Sequence, residues 1–358
     1  MCVLKTSVSQ SAAIVRKVVG AADRGPARRK LAPRAARLGL PRMPALLNPT
    51  QLPALHCGEA AEVALGDRTY YLRPPRTPCA TGGALGSLPL LVLVHCFGCS
   101  AIHELRKYTA AADAHGVALA VPEGVGSSWN APHCCGPARQ QSLDDVGFVD
   151  SVVRHASSAL PIAADAVFAA GFSNGGFMTS HLAWTGTTRW AGISPAAGHE
   201  YSVKAERPLP VFIHHCAADS MVRIDGCCAS SDGEPTCCCG IGAHRTTCVS
   251  TPTLFKEWLT VNKCSGSVQA VGVGGADCTL GINCAANTSM CVHGNGCFHQ
   301  MWSRDFPATD AVVEFFAREA CQLRGVWREA REGAPPRCRC RGAAAAKPPG
   351  HGHLCLAM

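Results

Sequence analysis

The sequence predicts an α/β fold, a mostly parallel central sheet covered by helices on both faces. Three observations lead there. Short aliphatic runs recur between residues 89 and 214, too brief for helices yet apolar throughout, as strands buried on both faces must be. Segments with helical spacing alternate with these runs, the pattern of a parallel sheet with crossover helices. The chain has 358 residues, 47% of them hydrophobic and 16% charged, enough to bury a substantial core.

Residues 60–65 and 69–72 are strand-like and flank Gly66-Asp67, a hairpin signal. Residues 89–95, PLLVLVH, are a buried strand opened by proline. Residues 103–115 have helical spacing and stop at Gly116, a residue suited to the left-handed turn that ends helices. Residues 117–121 form the next strand. Asp144 and Asp145 precede an apolar periodic segment reaching Leu160, where carboxylates can accept from the free amides of a helix N-terminus. Residues 166–170 read as strand and 177–184 as helix. Residues 190–193 and 211–214 are two more strands, and 253–262 and 309–323 two more helices. This organisation gives one catalytic-size domain over 48–322, with a Cys-rich insertion at 226–249.

The net charge of +8 is concentrated at the two ends. Residues 1–47 carry +9 and residues 322–358 carry +5, which leaves −6 for the middle. A nucleic-acid-binding core would show the reverse, so no nucleic-acid partner is expected. No run of 18 or more residues is continuously apolar, so no transmembrane helix is expected. Residues 1–47 are rich in Arg and Ala and poor in acids, and Arg16-Lys17 interrupts the longest early apolar run. The composition resembles an organelle transit peptide more than a secretory signal; a disordered extension, or a start at Met43, are the alternatives. Residues 323–358 read as a disordered basic tail. The 23 cysteines suit an oxidising compartment. The Cys-Cys and Cys-Cys-Cys runs at 227–239 have poor spacing for zinc, and no metal is expected.

Chemistry enters at Gly171-Phe172-Ser173-Asn174-Gly175. The bare G-x-S-x-G pattern is weak, but here it joins a strand to a helix, where a nucleophile elbow must sit. Small residues at 171 and 175 let the chain turn sharply, and the helix aims its N-terminal amides at the site. Ser173 is therefore the candidate nucleophile. On such a fold the acid comes after a later strand, and Asp219 lies directly beyond the strand at 211–215; Asp225 and Asp232 lie further from that end. The base belongs in a loop before the last helix, which offers His299 and, inside a strand-like run, His293. The oxyanion donors would be the backbone N–H groups of Asn174 and Phe97.

These motifs, taken in order, resemble the polyhydroxybutyrate depolymerase / feruloyl esterase family of α/β-hydrolases. The resemblance rests on LVLVHCFG (91–98), PEG (122–124), Trp129-Asn130, CCGP (134–137), DDVGF (144–148), GFSNGG (171–176), HCAAD (215–219) and GCFH (296–299), and it covers about residues 50–322. It implies a carboxylic-ester hydrolase with Ser173, Asp219 and His299 as catalytic triad, and Trp129 near the mouth as a substrate contact. It implies no cofactor, and an ester partner that includes feruloyl or acetyl esters of polysaccharide and short polyhydroxyalkanoates. Members are mostly exported. Cys264, Cys278, Cys284, Cys291 and Cys297 bracket the His299 loop and are candidates for disulfides of unassigned connectivity. The chain departs from the family at His95-Cys96 and His215-Cys216, where His-Gly is usual, and at Trp302, three rather than two residues after His299. A binding protein with a collapsed oxyanion loop is the rival from another class; a peptidase or thioesterase on the same fold is the rival within it.

Overall fold

The computed structural model describes residues 55–76, 87–132, 134–198, 202–226, 249–272, 275–294, 297–300, 306–328 and 337–340. The N-terminal extension, most of the Cys-rich insertion, Asp232, Trp302 and most of the C-terminal tail lie outside them.

Ten strands make one sheet: β1 (Ala61–Leu65), β2 (Arg68–Arg73), β3 (Leu88–Val94), β4 (Ala118–Pro122), β5 (Ile162–Phe172), β6 (Gly192–Ala196), β7 (Val211–Cys216), β8 (Gly266–Val271), β9 (Asp277–Ile282) and β10 (Thr288–His293). Their spatial order is β1-β2-β4-β3-β5-β6-β7-β10-β9-β8. The six from β4 to β10 run parallel, with antiparallel pairs at both edges. The strand order reverses around β3, and in open α/β sheets the strand ends near such a reversal hold the ligand crevice. Residues 325–328 and 337–340 pair as a separate antiparallel ribbon.

The helices are α1 (Ala101–His115), α2 (Pro137–Gln140), α3 (Asp145–Ala159), α4 (Asn174–Leu182), α5 (Thr251–Val261) and α6 (Ala308–Arg324). Their ends reflect local chemistry. Gly116 ends α1 with φ 67°, ψ 34°, and its N–H bonds the Ala112 carbonyl. Asp144 caps α3 by accepting from the Gly147 N–H at 2.8 Å. Ser250 does the same for Thr253 at the start of α5.

Side-chain alternation splits the interior into two cores. On β3, Leu90, Val92 and Val94 belong to the core that also takes residues of α3, α4 and α5, while Leu91 and Leu93 belong to the one shared with α1 and α6. Phe168 of β5 stacks on Phe316 of α6 with ring centroids 4.7 Å apart. At about 25 cal/mol per Å² of apolar surface, two such cores are the main favourable term in folding. Among the described residues no helix is long and apolar enough to cross a membrane.

The observed elements differ from the sequence expectation at several places, among them α2 and the ribbon of 325–328 with 337–340, which lies in the segment read as a disordered tail. β5 begins at Ile162, four residues early, and β6 is displaced to 192–196. The hairpin β8–β9 was not expected, because Gly266, Ser267 and Gln269 break the apolar pattern on a strand exposed along nearly its whole length.

Candidate active site

β5 delivers the chain to Ser173, and α4 begins at the next residue. Ser173 has φ 56°, ψ −121°, a conformation that costs a non-glycine residue on the order of 1–3 kcal/mol. Its N–H bonds the Ala196 carbonyl at 2.9 Å and its carbonyl accepts from Phe177 at 2.9 Å, so sheet and helix together hold the turn. A Cβ on Gly171 would collide with the Gly175 carbonyl, and one on Gly175 with the Val94 carbonyl. The two glycines are therefore demanded by the closeness of β3, β5 and α4.

Asp219 and His299 meet this serine. His299 Nδ1 lies 2.8 Å from Asp219 Oδ2, and His299 Nε2 lies 2.7 Å from Ser173 Oγ. With the carboxylate accepting from Nδ1–H, Nε2 is left to accept the Ser173 hydroxyl. Phe172 packs against the His299 ring at 4.9 Å. The other Asp219 oxygen accepts from the Met221 and Val222 N–H groups at 2.9 and 2.8 Å. Burial alone would raise the Asp219 carboxyl, but its hydrogen bonds with His215, His299 and the Val222 amide outweigh burial and hold it well below the usual carboxylate range. His215 in turn donates to the Val222 carbonyl at 2.8 Å and pairs with the Thr251 hydroxyl at 2.9 Å, locking the turn that carries the acid.

The alternative residues lie elsewhere. Asp225 pairs with Arg223 on the surface. His293 is buried at the end of β10, with no hydrogen bond to Ser173.

The proposed oxyanion loop lies just beyond β3. The Gly98 N–H is taken by the Ser127 carbonyl and the Cys99 N–H by the Cys96 carbonyl. The N–H groups of Phe97 and Asn174 have no hydrogen-bond partner among the described residues. His95 anchors this loop: Nε2 accepts from the Gly124 N–H at 2.9 Å and Nδ1 donates to the Cys96 carbonyl at 2.8 Å. Burial lowers the His95 pKa, which favours the neutral ring, and these two hydrogen bonds fix its tautomer.

Trp129, expected at the mouth, is instead fully buried. Its indole N–H donates to the His95 carbonyl at 2.8 Å and its ring packs against His95 at 4.9 Å. It braces the loop from within and has no surface to offer a substrate. Its partner is the Asn174 side chain, whose role the sequence did not reveal. Asn174 Oδ1 accepts from the Trp129 N–H at 2.7 Å, and Nδ2 donates to the Trp129 and Cys134 carbonyls at 3.1 and 3.2 Å. Asp145 fastens the same segment by accepting from the Asn130 N–H at 2.6 Å and from Arg68 at 2.5 Å.

The two His-Cys departures have a shared structural meaning. Cys96 forms a disulfide with Cys99 across Phe97, and Cys216 forms one with Cys297. The second ties the end of β7, three residues before Asp219, to the loop two residues before His299. Cys134–Cys135, Cys264–Cys284 and Cys278–Cys291 are also bonded. For the first the sequence signal was a cysteine three residues on, Cys99; for the second it was only that Cys297 lies in the His299 loop, 81 residues after Cys216.

No protein-family model matches the sequence. Over 174 residues the chain is 36% identical to a protein named "Putative esterase NocK" of Nocardia uniformis subsp. tsuyamanensis, covering 47% of this chain and 50% of that one. Over 210 residues it is 27% identical to "Feruloyl esterase B" of Piromyces equi, covering 55% and 36%. The chain thus spans half or less of the length of these curated relatives. An acetyl xylan esterase from Aspergillus awamori superposes with TM-score 0.50 at 12% identity, over 72% of this chain and 99% of that one. The sheet order, the strand–helix turn at Ser173 and these likenesses agree: the chain has the α/β-hydrolase fold and resembles, in sequence, proteins named as esterases.

Proposed function

We propose that this chain is a serine carboxylic-ester hydrolase that works through an acyl-enzyme. The observation that carries the reading is the continuous hydrogen-bonded line from Ser173 Oγ through His299 to Asp219. His299 Nε2 takes the serine proton as Oγ attacks the ester carbonyl, and the Asp219 carboxylate stabilises the resulting imidazolium. The N–H groups of Asn174 and Phe97 receive the oxyanion. His299 then protonates the leaving alcohol, and water repeats the sequence on the acyl-enzyme.

The surroundings favour an aromatic or otherwise apolar acyl group. Phe97, Met221 and Phe298 are exposed large hydrophobics, and each lies within two residues of, or at, a residue of the proposed machinery. Esters of hydroxycinnamate on polysaccharide fit this surface, in line with the name of the relative from Piromyces equi; acetylated xylan and short polyhydroxyalkanoates use the same chemistry. The Cys96–Cys99 bond argues against a collapsed oxyanion loop, since it pins the segment around Phe97.

The test compares hydrolysis of methyl ferulate, methyl acetate and p-nitrophenyl acetate by the wild type and Ser173→Ala. A loss of about 10⁴-fold or more in kcat for each ester is expected. Unchanged hydrolysis in the variant would remove Ser173 from the reaction, and a preference for methyl acetate over methyl ferulate, which share one leaving group, would remove the aromatic acyl group.

A further inference from the structure

Beside the Asp219–His299 pair lies a second cluster that ester hydrolysis does not use. The ligand atoms of Cys216, Cys297 and His293 all lie within 4.8 Å of one another, and the three residues are buried. His293 is 2% exposed, and neither of its ring nitrogens has a hydrogen-bond partner among the described residues. A neutral imidazole carries one donor and one acceptor, and folded proteins almost always satisfy both when they bury them. The ring is held in place by stacking on Phe306, with centroids 4.7 Å apart and planes 10° from parallel.

Spacing supports the same grouping. His293 and Cys216 are register partners on the parallel strands β10 and β7, so the sheet fixes their separation. Cys297 comes four residues after His293, a spacing at which one loop can present two ligands to zinc. The Cys216 and Cys297 Cα atoms are 5.9 Å apart, within the range of a disulfide. Two sulfurs bound to one Zn²⁺ at ~2.3 Å stand ~3.8 Å apart, a separation that side-chain rotation can supply from the same backbone.

We propose that Cys216, Cys297 and His293 form a site with two covalent states: a disulfide when oxidised, and a Zn²⁺ site of two thiolates and one imidazole when reduced. A dithiol reductant supplies two electrons and two protons; the Cys216–Cys297 bond breaks to two thiols, and the reductant closes to its own disulfide. Zn²⁺ then displaces both thiol protons to solvent and takes the lone pair of a His293 nitrogen. Two thiolates and an imidazole suit this borderline-soft ion, and its fourth position is open to a small ligand. In either state the end of β7 stays tied to the loop before His299. The imidazole left idle beside the disulfide is the ligand that the reduced state requires.

The test uses the full chain, reduced with dithiothreitol and freed of it without oxygen, then titrated with Co²⁺ as a spectroscopic stand-in and with Zn²⁺ in competition. Other cysteines contribute a background, so the readout is the difference from two variants. The wild type is expected to bind about one more equivalent than Cys216→Ser/Cys297→Ser, with thiolate charge-transfer and tetrahedral visible bands. His293→Phe, which preserves the stacking on Phe306 and both cysteines, is expected to weaken that equivalent by about 10-fold or more. Near-ultraviolet circular dichroism of each oxidised variant verifies its fold. Equal uptake and equal affinity in the wild type and both variants would overturn the proposal. So would a reduced wild type that stays unfolded in saturating Zn²⁺.

Discussion

Asn174 shows how much one side chain can do at a position whose backbone is proposed to serve the chemistry. Its N–H faces the proposed oxyanion, while its amide group clamps the segment from Trp129 to Cys134. Asn174→Ala leaves the Trp129 N–H and two carbonyls without their partner and is expected to cost about 1–3 kcal/mol in denaturant unfolding. Asn174→Asp should cost more, because a carboxylate replaces the donating NH₂ and confronts the Trp129 and Cys134 carbonyls. If Asp proves milder than Ala, the Nδ2 contacts are not what holds the loop. Asp219→Asn is expected to lower kcat by about 10⁴-fold and to lower the unfolding free energy as well, since it removes the charged acceptor that fixes the His299 tautomer and takes the Met221 and Val222 amides. Ser173, Asp219 and His299 were legible in the sequence because each is marked by its place after a strand or before a helix. The Asn174 amide was not, because its partners lie 40 and 45 residues earlier in an irregular segment with no period to read.

At the scale of elements, the strand ends carry the site and the disulfides position the loops beyond them. The Cys96–Cys99 bond spans the segment after β3 that contains Phe97. Cys96→Ser/Cys99→Ser is expected to lower kcat about 10-fold or more while KM changes little, since a loosened donor matters most when negative charge develops on the oxygen. A fall in affinity alone, with kcat intact, would instead place this loop in substrate binding. The parallel strands β3 to β7 were legible because burial on both faces makes them continuously apolar. The edge hairpin β8–β9 was not: exposure removes that requirement, and its pairing with β10 is set by tertiary context. Disulfide connectivity was equally opaque, since it depends on which strand ends become neighbours.

For the whole molecule, the buried histidines of β7 and β10 contribute strongly to the response to acid, beside His95, His115 and His155, which burial also holds low. Burial, with the neighbouring His293 and His215, pushes the His214 pKa down to about 3. Burial and His215 push His293 down to about 4, against the opposing pull of Asp219. Both stay neutral in the folded chain and take a proton on unfolding below about pH 6.5. Their contribution is therefore complete above that pH and is lost as pH falls from about 6.5 to 4, by about 1.4 kcal/mol per pH unit for each histidine. His214→Phe, flanked by Phe212 and Phe306, should flatten the slope by about one histidine's share in urea titrations across that window. An unchanged slope would mean that His214 is protonated in the folded chain. The Asp219 carboxylate, held low, adds its own loss only below about pH 3.9, so the two effects separate.

The hydrogen bond between Ser173 and His299 spans 126 residues of sequence. On a translating ribosome adding about 5–20 residues per second, the elbow is synthesised roughly 6–25 s before its partner exists. During that interval the nascent chain carries a serine hydroxyl with no base to activate it. On the proposed mechanism the order of the residues along the gene delays activity until the last helix is being made, and a chain cut short before residue 299 is expected to leave the ribosome inert toward esters.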